Sequence, residues 1–187
     1  MNIVAISGSL RKKSYNTALL HAAQKLAPEE MKIEILDISP LPVFNQDMEL
    51  SNYPAAARVL KEKIAAADGV LLAVPEFNRG PAGSMKNFLD WSTRPESEPN
   101  PWDGKPVGIV GASSGMRGAN LAQFDVRRTM SYFNARTMGQ PEFYVANDED
   151  GKFDENLELV DAKTIEVLTR FLAAFRNHVA LARTASR

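Results

Sequence analysis

The chain has 187 residues, 44% of them hydrophobic and 24% charged, with a formal net charge of -1. That length suits a single domain, residues 1–187, able to bury a full core, and the near-neutral balance gives no global basic field for nucleic acid or anionic lipid. The absence of cysteine removes disulfides, thiolate nucleophiles, iron–sulfur clusters and cysteine zinc sites. Two histidines, His21 and His178, leave little material for a histidine metal site or a serine–histidine–aspartate triad.

Asn2–Ser7 is a short continuous apolar run, the pattern of a strand buried on both faces. It lacks the basic stretch and long apolar core of a signal peptide, and no apolar run approaches the ~18–20 residues that span a bilayer. The expectation is a cytoplasmic protein. Residues 14–27 place Leu19, Ala22, Ala23 and Leu26 on one helical face, and Lys32–Leu36 alternates as a strand. Pro40 and Pro42 predict an irregular segment over 37–51. Leu60, Ile64 and Ala67 mark a helix over 53–67, with Pro54 in its first turn. Gly69–Val74 is the most apolar strand, and a loop from Pro75 to Gly83 leads to a helix around 84–91. Residues 92–104 read as a surface loop, Lys105–Val110 as a strand, and Gly111–Gly118 as a small-residue loop. A helix over 119–132, a short strand at Ala135–Met138 and a polar loop over 139–156 with a turn near Asp150-Gly151 follow. Leu157, Val160, Thr164, Leu168, Phe171, Phe175 and Val179 form the stripe of a terminal helix.

Strands alternating with helices imply a three-layer α/β sandwich around a five-stranded parallel sheet. The right-handed crossover rule favours the flavodoxin-like order 2-1-3-4-5, in which ligands bind outside the carboxyl ends of the strands where the winding reverses. The loops after strands 1, 3 and 4 are therefore the ones that carry chemistry.

The first of these loops, Ser7 to Thr17, holds three consecutive cations, Arg11-Lys12-Lys13, and opens directly into a helix. A helix start offers unpaired N–H groups and about half a positive charge, which favours a phosphate. Ser9, Ser14 and Asn16 can donate or orient hydrogen bonds, and Arg11 can fork onto phosphate oxygens. Neither G-x-G-x-x-G nor G-x-x-x-x-G-K-[ST] is present, so the loop suits a single terminal monophosphate; a plain helix cap with a solvated basic turn is the rival reading. After strand 3, Glu76, Phe77 and Asn78 are polar and aromatic types at a strand end, suited to a planar heterocycle, whereas Phe88, Leu89 and Trp91 suit the core. Glu76 is the only tempting carboxylate for acid–base work, and a hydrogen-bond acceptor at the loop end is the favoured reading over that role. After strand 4, Ser113 stands where small residues let a ring approach the backbone, and Arg117 could meet a second anionic group.

Gly8-Ser-Leu-Arg-Lys-Lys-Ser-Tyr-Asn16, Pro75-Glu-Phe-Asn78 with Lys86-Asn87 and Asp90-Trp91, and Gly111-Ala-Ser-Ser-Gly115 with Gln123 and Arg127 together resemble the NADPH-dependent FMN reductase family, and most closely its quinone and chromate reductase-like branch. The resemblance runs over nearly the whole chain. It implies that Ser9, Arg11, Ser14, Tyr15 and Asn16 hold the FMN phosphate. It further implies that Pro75, Glu76, Phe77 and Asn78 line the isoalloxazine, largely through backbone, and that Ser113 contacts it from the third loop. NADPH or NADH would be the hydride donor, and small acceptors such as quinones, azo compounds, metal oxyanions or free flavin would take the electrons. FMN would carry the chemistry, with no catalytic side chain and no metal. A flavodoxin-like one-electron carrier and a non-catalytic FMN-binding module are the alternatives. Members of this family are typically homodimers or homotetramers, and the helices after strands 3 and 4 are the expected interface. Phe77 stands where this branch often carries tyrosine, Pro81 sits one place earlier than usual, and Leu121 replaces a common arginine.

Overall fold

The computed structural model describes residues 1–146 and 151–185. Four strands form its parallel core: β1 (Asn2–Ser7), β2 (Lys32–Leu36), β3 (Gly69–Ala73) and β6 (Pro106–Ser113). They lie in the order β2-β1-β3-β6, and two short segments, β7 (Arg136–Thr137) and β8 (Phe143–Ala146), share the fifth position beside β6. This is the expected winding with its last strand broken. Thr137 pairs with Val107, and Phe143 resumes the ladder opposite Val110. Pro141, which has no N–H to give to a ladder, lies in the gap. The strand expected at Ala135–Met138 is thus half the answer, and β8 falls in what reads as polar loop. Asp150, in the expected Asp150-Gly151 turn, lies outside the described residues.

Strand alternation sends successive side chains to opposite faces. Ile3, Ala5, Leu71, Ala73 and Val110 pack under α1 (Tyr15–Leu26) and α6 (Ala162–Ala185), against Leu19, Leu168, Phe171 and Phe175. Val4, Ile6, Val70, Leu72 and Ile109 pack on the other face under α3 (Ala55–Ala66), α4 (Gly83–Ser92) and α5 (Asn120–Tyr132). Each fully buried side chain of this size stabilises the fold by about 1.5–3 kcal/mol. Phe88 and Leu89 are in this core, as expected, and Trp91 is buried beside it against Phe44 and Tyr53.

Several local expectations are corrected. Asn45 accepts a hydrogen bond from the Asp47 N–H (2.9 Å) and starts a six-residue helix, α2 (Gln46–Ser51), inside the segment read as irregular; the blocking prolines lie upstream of it. The loop over 92–104 is not merely surface. Trp102 is fully buried and donates to Ser92 Oγ (2.8 Å), and Lys61 binds both Glu98 (2.9 Å) and the Arg94 carbonyl (3.1 Å). The terminal helix begins only at Ala162. Asp161 caps it, accepting from the Thr164 N–H (2.7 Å) and hydroxyl (2.6 Å), while Leu157 and Val160 precede it. The loop after strand 4 starts later than expected, because Gly111–Ser113 continue β6 and pair with Tyr144–Ala146.

Candidate functional site

The carboxyl ends of β1, β3 and β6 converge on a cleft of about 180 Å³. It is lined by Ser9, Arg11, Ser14, Tyr15 and Asn16 from the first loop and by Pro75, Glu76 and Phe77 from the second. The third contributes Ala112, Ser113 and Ser114. Nine of the ten residues singled out in the sequence therefore meet in one place. Asn78 is the exception.

The polar end of the cleft is built on the start of α1. Ser14 caps the helix, its Oγ accepting from the Thr17 N–H (3.2 Å). Helix geometry leaves the N–H groups of Ser14, Tyr15 and Asn16 without intrahelical acceptors. The exposed Arg11 guanidinium has no partner among the described residues. Preceding turns are tied internally: Ser9 Oγ accepts from the Arg11 N–H (3.4 Å), and Ser7 Oγ accepts from the Ser9 N–H (3.3 Å) and the Thr17 hydroxyl (2.9 Å). The loop is also pinned to α4, where the Ser84 hydroxyl donates to the Gly8 carbonyl (2.6 Å). Only glycine fits at that point. A Cβ on Gly8 would lie 2.7 Å from Pro75 Cδ and 2.8 Å from Met85 Cβ.

Asn16 is not an open phosphate donor through its side chain. Its amide nitrogen donates to the Ala112 carbonyl (3.0 Å) and its amide oxygen accepts from the Ala112 N–H (3.0 Å), in a buried setting. The side chain thereby clamps the first loop to the end of β6, and its backbone N–H is among those the helix start leaves unbonded. Tyr15 also divides its duties, with its ring packed on Phe153 at 5.1 Å between centroids.

The flat end of the cleft is a miniature hairpin, β4 (Glu76–Phe77) and β5 (Gly80–Pro81), where a plain loop was expected. Its two central residues, Asn78 and Arg79, have φ of 51° and 65°. Positive φ at both positions is the two-residue hairpin turn, which asparagine tolerates and arginine does not readily adopt. Asn78 is at the tip for that conformation and does not line the cleft. The turn holds Phe77 out, 58% exposed. Glu76 Oε2 accepts from the Ala122 N–H (3.1 Å), so its carboxylate caps α5 and complements the positive helix end. Arg117 is exposed and does not line the cleft.

Beneath the cleft, Gly111 leaves room that a Cβ would fill at 2.7 Å from the Val74 carbonyl and 2.9 Å from Gln123 Nε2. Gln123 donates to the Phe143 carbonyl (3.0 Å) and Arg127 to the Met138 carbonyl (2.7 Å), which fastens α5 to the broken edge strand. Tyr144 lies opposite Gly111 in the ladder, and burial, helped by the neighbouring Glu142, pushes its phenol up to about 12. Asn87 and Trp91 likewise staple the proline-rich segment: Asn87 accepts from the Phe44 N–H (2.7 Å), and both side chains donate to the Pro42 carbonyl (2.9 and 2.8 Å). These motif residues act on the cleft only by holding its frame. Ala112 and Ser114, not singled out beforehand, lie within the quoted Gly111–Gly115 motif, which was the available signal.

A flavodoxin-like sheet whose switch-point cleft offers one anion-binding helix start and one flat, small-residue wall defines a protein that binds a single-phosphate nucleotide. The sequence model of the family described as NADPH-dependent FMN reductase matches residues 1–150. A 2-hydroxy-1,4-benzoquinone reductase of Burkholderia sp is 40% identical over 172 residues, 92% of each chain. An NAD(P)H-dependent FMN reductase of Pseudomonas aeruginosa is 38% identical over 176 residues, 94% of each chain. Among solved structures, the flavoenzyme NAD(P)H:(acceptor) oxidoreductase FerB of Paracoccus denitrificans superposes with a TM-score of 0.88 at 34% identity, covering 97% of this chain and 98% of its own. The chain belongs to the NADPH-dependent FMN reductase family, whose members are FMN-using oxidoreductases driven by NAD(P)H.

FMN fits the residues present. The open N–H groups at the start of α1, beside the unpartnered Arg11, form a cradle for one phosphate. Gly111 and Ala112 keep the opposite wall free of bulk.

Proposed function

We propose that this chain is an FMN-containing, NAD(P)H-dependent reductase whose physiological acceptors are quinones. One observation carries the reading: a single cleft gathers an anion cradle and a ring wall from three loops at the carboxyl ends of β1, β3 and β6. Bound FMN supplies hydride and electron transfer. Ser9, Arg11 and Ser14, with the N–H groups of Tyr15 and Asn16, hold its phosphate. Pro75, Glu76 and Phe77 support the ring through the hairpin, Ser113 meets it from the third loop, and Asn78 acts by shaping the turn. Among the described residues lining the cleft, Glu76 is the only carboxylate, and it is engaged with the Ala122 N–H rather than free to move a proton. Quinones are favoured among the expected acceptors by the names of the relatives; azo compounds, metal oxyanions and free flavin compete for the same open ring face.

The decisive experiment is a visible spectrum of the purified protein followed by anaerobic NADPH. The yellow colour should bleach and return on adding a benzoquinone. Persistent oxidised flavin with both nicotinamide nucleotides sinks the proposal.

The protein works as a single-domain, cytoplasmic homo-oligomer in this reading. Among the described residues no helix is long and apolar enough to cross a membrane. The interface expected on α4 and α5 is revised in part, since Phe88, Leu89 and Trp91 of α4 are consumed by their own core. Phe124 and Tyr132 on α5 remain exposed at 52% and 87%. A monomeric mass by light scattering would remove this part.

A further inference from the structure

Two other concavities share walls with the cofactor cleft. One, of about 360 Å³, borders Ser9, Arg11 and Lys12 and runs to Asp37 at the end of β2. There the Asp37 carboxylate accepts from the Ser39 N–H and hydroxyl, each at 2.8 Å. The other, of about 400 Å³, starts at Ser14 and Lys12 and follows α1 past His21 and Lys25 to Asn156 and Glu158.

The inference rests on the reading above, in which a nicotinamide dinucleotide must meet FMN. With FMN in place, a cleft of about 180 Å³ has no space for the adenosine half of that second ligand, which must lie on adjoining surface. Charge separates the two candidates. Lys12 borders both. In the first, Arg11 is taken up by the FMN phosphate in the reading above, and the Asp37 carboxylate offsets Lys12. In the second, the one carboxylate, Glu158, is already paired with Lys25. Lys12 has no carboxylate partner among the described residues, so the groove keeps a net positive charge. His21 Nδ1 meets Gln24 Oε1 at 3.1 Å, and among the described residues neither His21 Nε2 nor the Asn156 side-chain amide has a partner.

The far wall of this groove is fixed. Asp154 Oδ1 accepts from the N–H groups of Asn156 (2.9 Å) and Glu158 (2.8 Å), and Phe153 is held on the Tyr15 ring. Leu157 between them has φ of 63°, a left-handed conformation that a leucine keeps only where its surroundings impose it.

We propose that the groove between α1 and residues 154–158 seats the 2′-phosphorylated ribose of NADPH. Lys12 supplies the principal charge, and His21 and Asn156 supply hydrogen bonds. The enzyme therefore prefers NADPH to NADH, and Lys12 is a specificity-determining residue rather than part of the FMN cradle.

Two measurements test this. In steady-state kinetics, Lys12→Glu should raise the KM for NADPH by about tenfold, the size of a partly screened charge contact. The KM for NADH and both kcat values should stay within about twofold, with flavin content unchanged. Equal changes for the two nucleotides, or none, overturn the assignment. The second measurement needs no turnover, so it separates failure of the groove from failure of the reductase reading. 2′,5′-ADP is titrated into the FMN-loaded protein while the ring C–H signals of the two histidines are followed by NMR. His21 should move. His178, whose Nε2 meets the Arg136 carbonyl at 2.6 Å on the edge of the sheet, should not. Lys12→Glu should abolish the shift. An unmoved His21 overturns the proposal, as does an equal shift with inorganic phosphate, which would mark an undiscriminating anion site.

Discussion

The two ends of the cleft are built on opposite plans. The phosphate end is tied into the body of the protein: Asn16 clamps it to Ala112 and Ser84 holds the Gly8 carbonyl. Gly8 itself touches Pro75 and Met85 too closely for any side chain. The ring end is a two-residue hairpin that projects from the sheet, carries an exposed Phe77, and keeps two non-glycine residues in left-handed backbone. An anion site needs donors that do not move when the charge arrives, because their preorganisation is what makes them stronger than water. A ring face that serves two partners in turn needs open access instead. The contrast teaches that rigidity lies at the end proposed to hold the phosphate and exposure at the end proposed to meet exchanging partners.

The comparison is broken hardest at Asn16. Asn16→Ala leaves the Ala112 N–H and carbonyl buried and unpaired, which costs roughly 3 kcal/mol of folding stability, read by denaturant unfolding. A loss below about 1 kcal/mol would mean that the clamp is ornamental. Arg11→Ala should separate binding from folding at the same end. FMN affinity falls by about 1.5–3 kcal/mol, the range of a charged hydrogen bond, while stability changes by less than about 0.5 kcal/mol because the side chain is exposed. Unchanged FMN affinity in a fluorescence titration would remove Arg11 from the cradle. The smallest effect lies at the ring end. Arg79→Gly relieves the left-handed strain and should stabilise the protein by about 0.5 kcal/mol, the backbone gain being partly offset by the freer unfolded chain. Destabilisation on thermal melting would show that the arginine side chain, rather than its backbone, matters to the hairpin.

Much of this was legible in the chain alone. Apolar runs against helical stripes fixed the strand and helix order, and the winding rule then named the three loops that meet. Ser9, Arg11, Ser14, Glu76, Phe77 and Ser113 could be placed in one cleft because small, hydroxyl and cationic residues at strand ends have few other uses. The family resemblance narrowed the ligand to FMN.

What the residues could not reveal by themselves was which polar groups were already spoken for. Asn16 reads as a phosphate ligand until its amide is seen bonded to Ala112, 96 residues away. Glu76 reads as a loop-end acceptor, but only the fold shows that the group it accepts from is the start of α5, and Trp102 reads as loop until it is found in the core. Periodicity reports a residue's neighbours one turn or two positions away, so it determines the elements. The pairing of polar groups across the sheet, the division of the last strand around Pro141, and the groove that joins α1 to residues 154–158 depend on contacts between distant segments, and only the folded chain decides them.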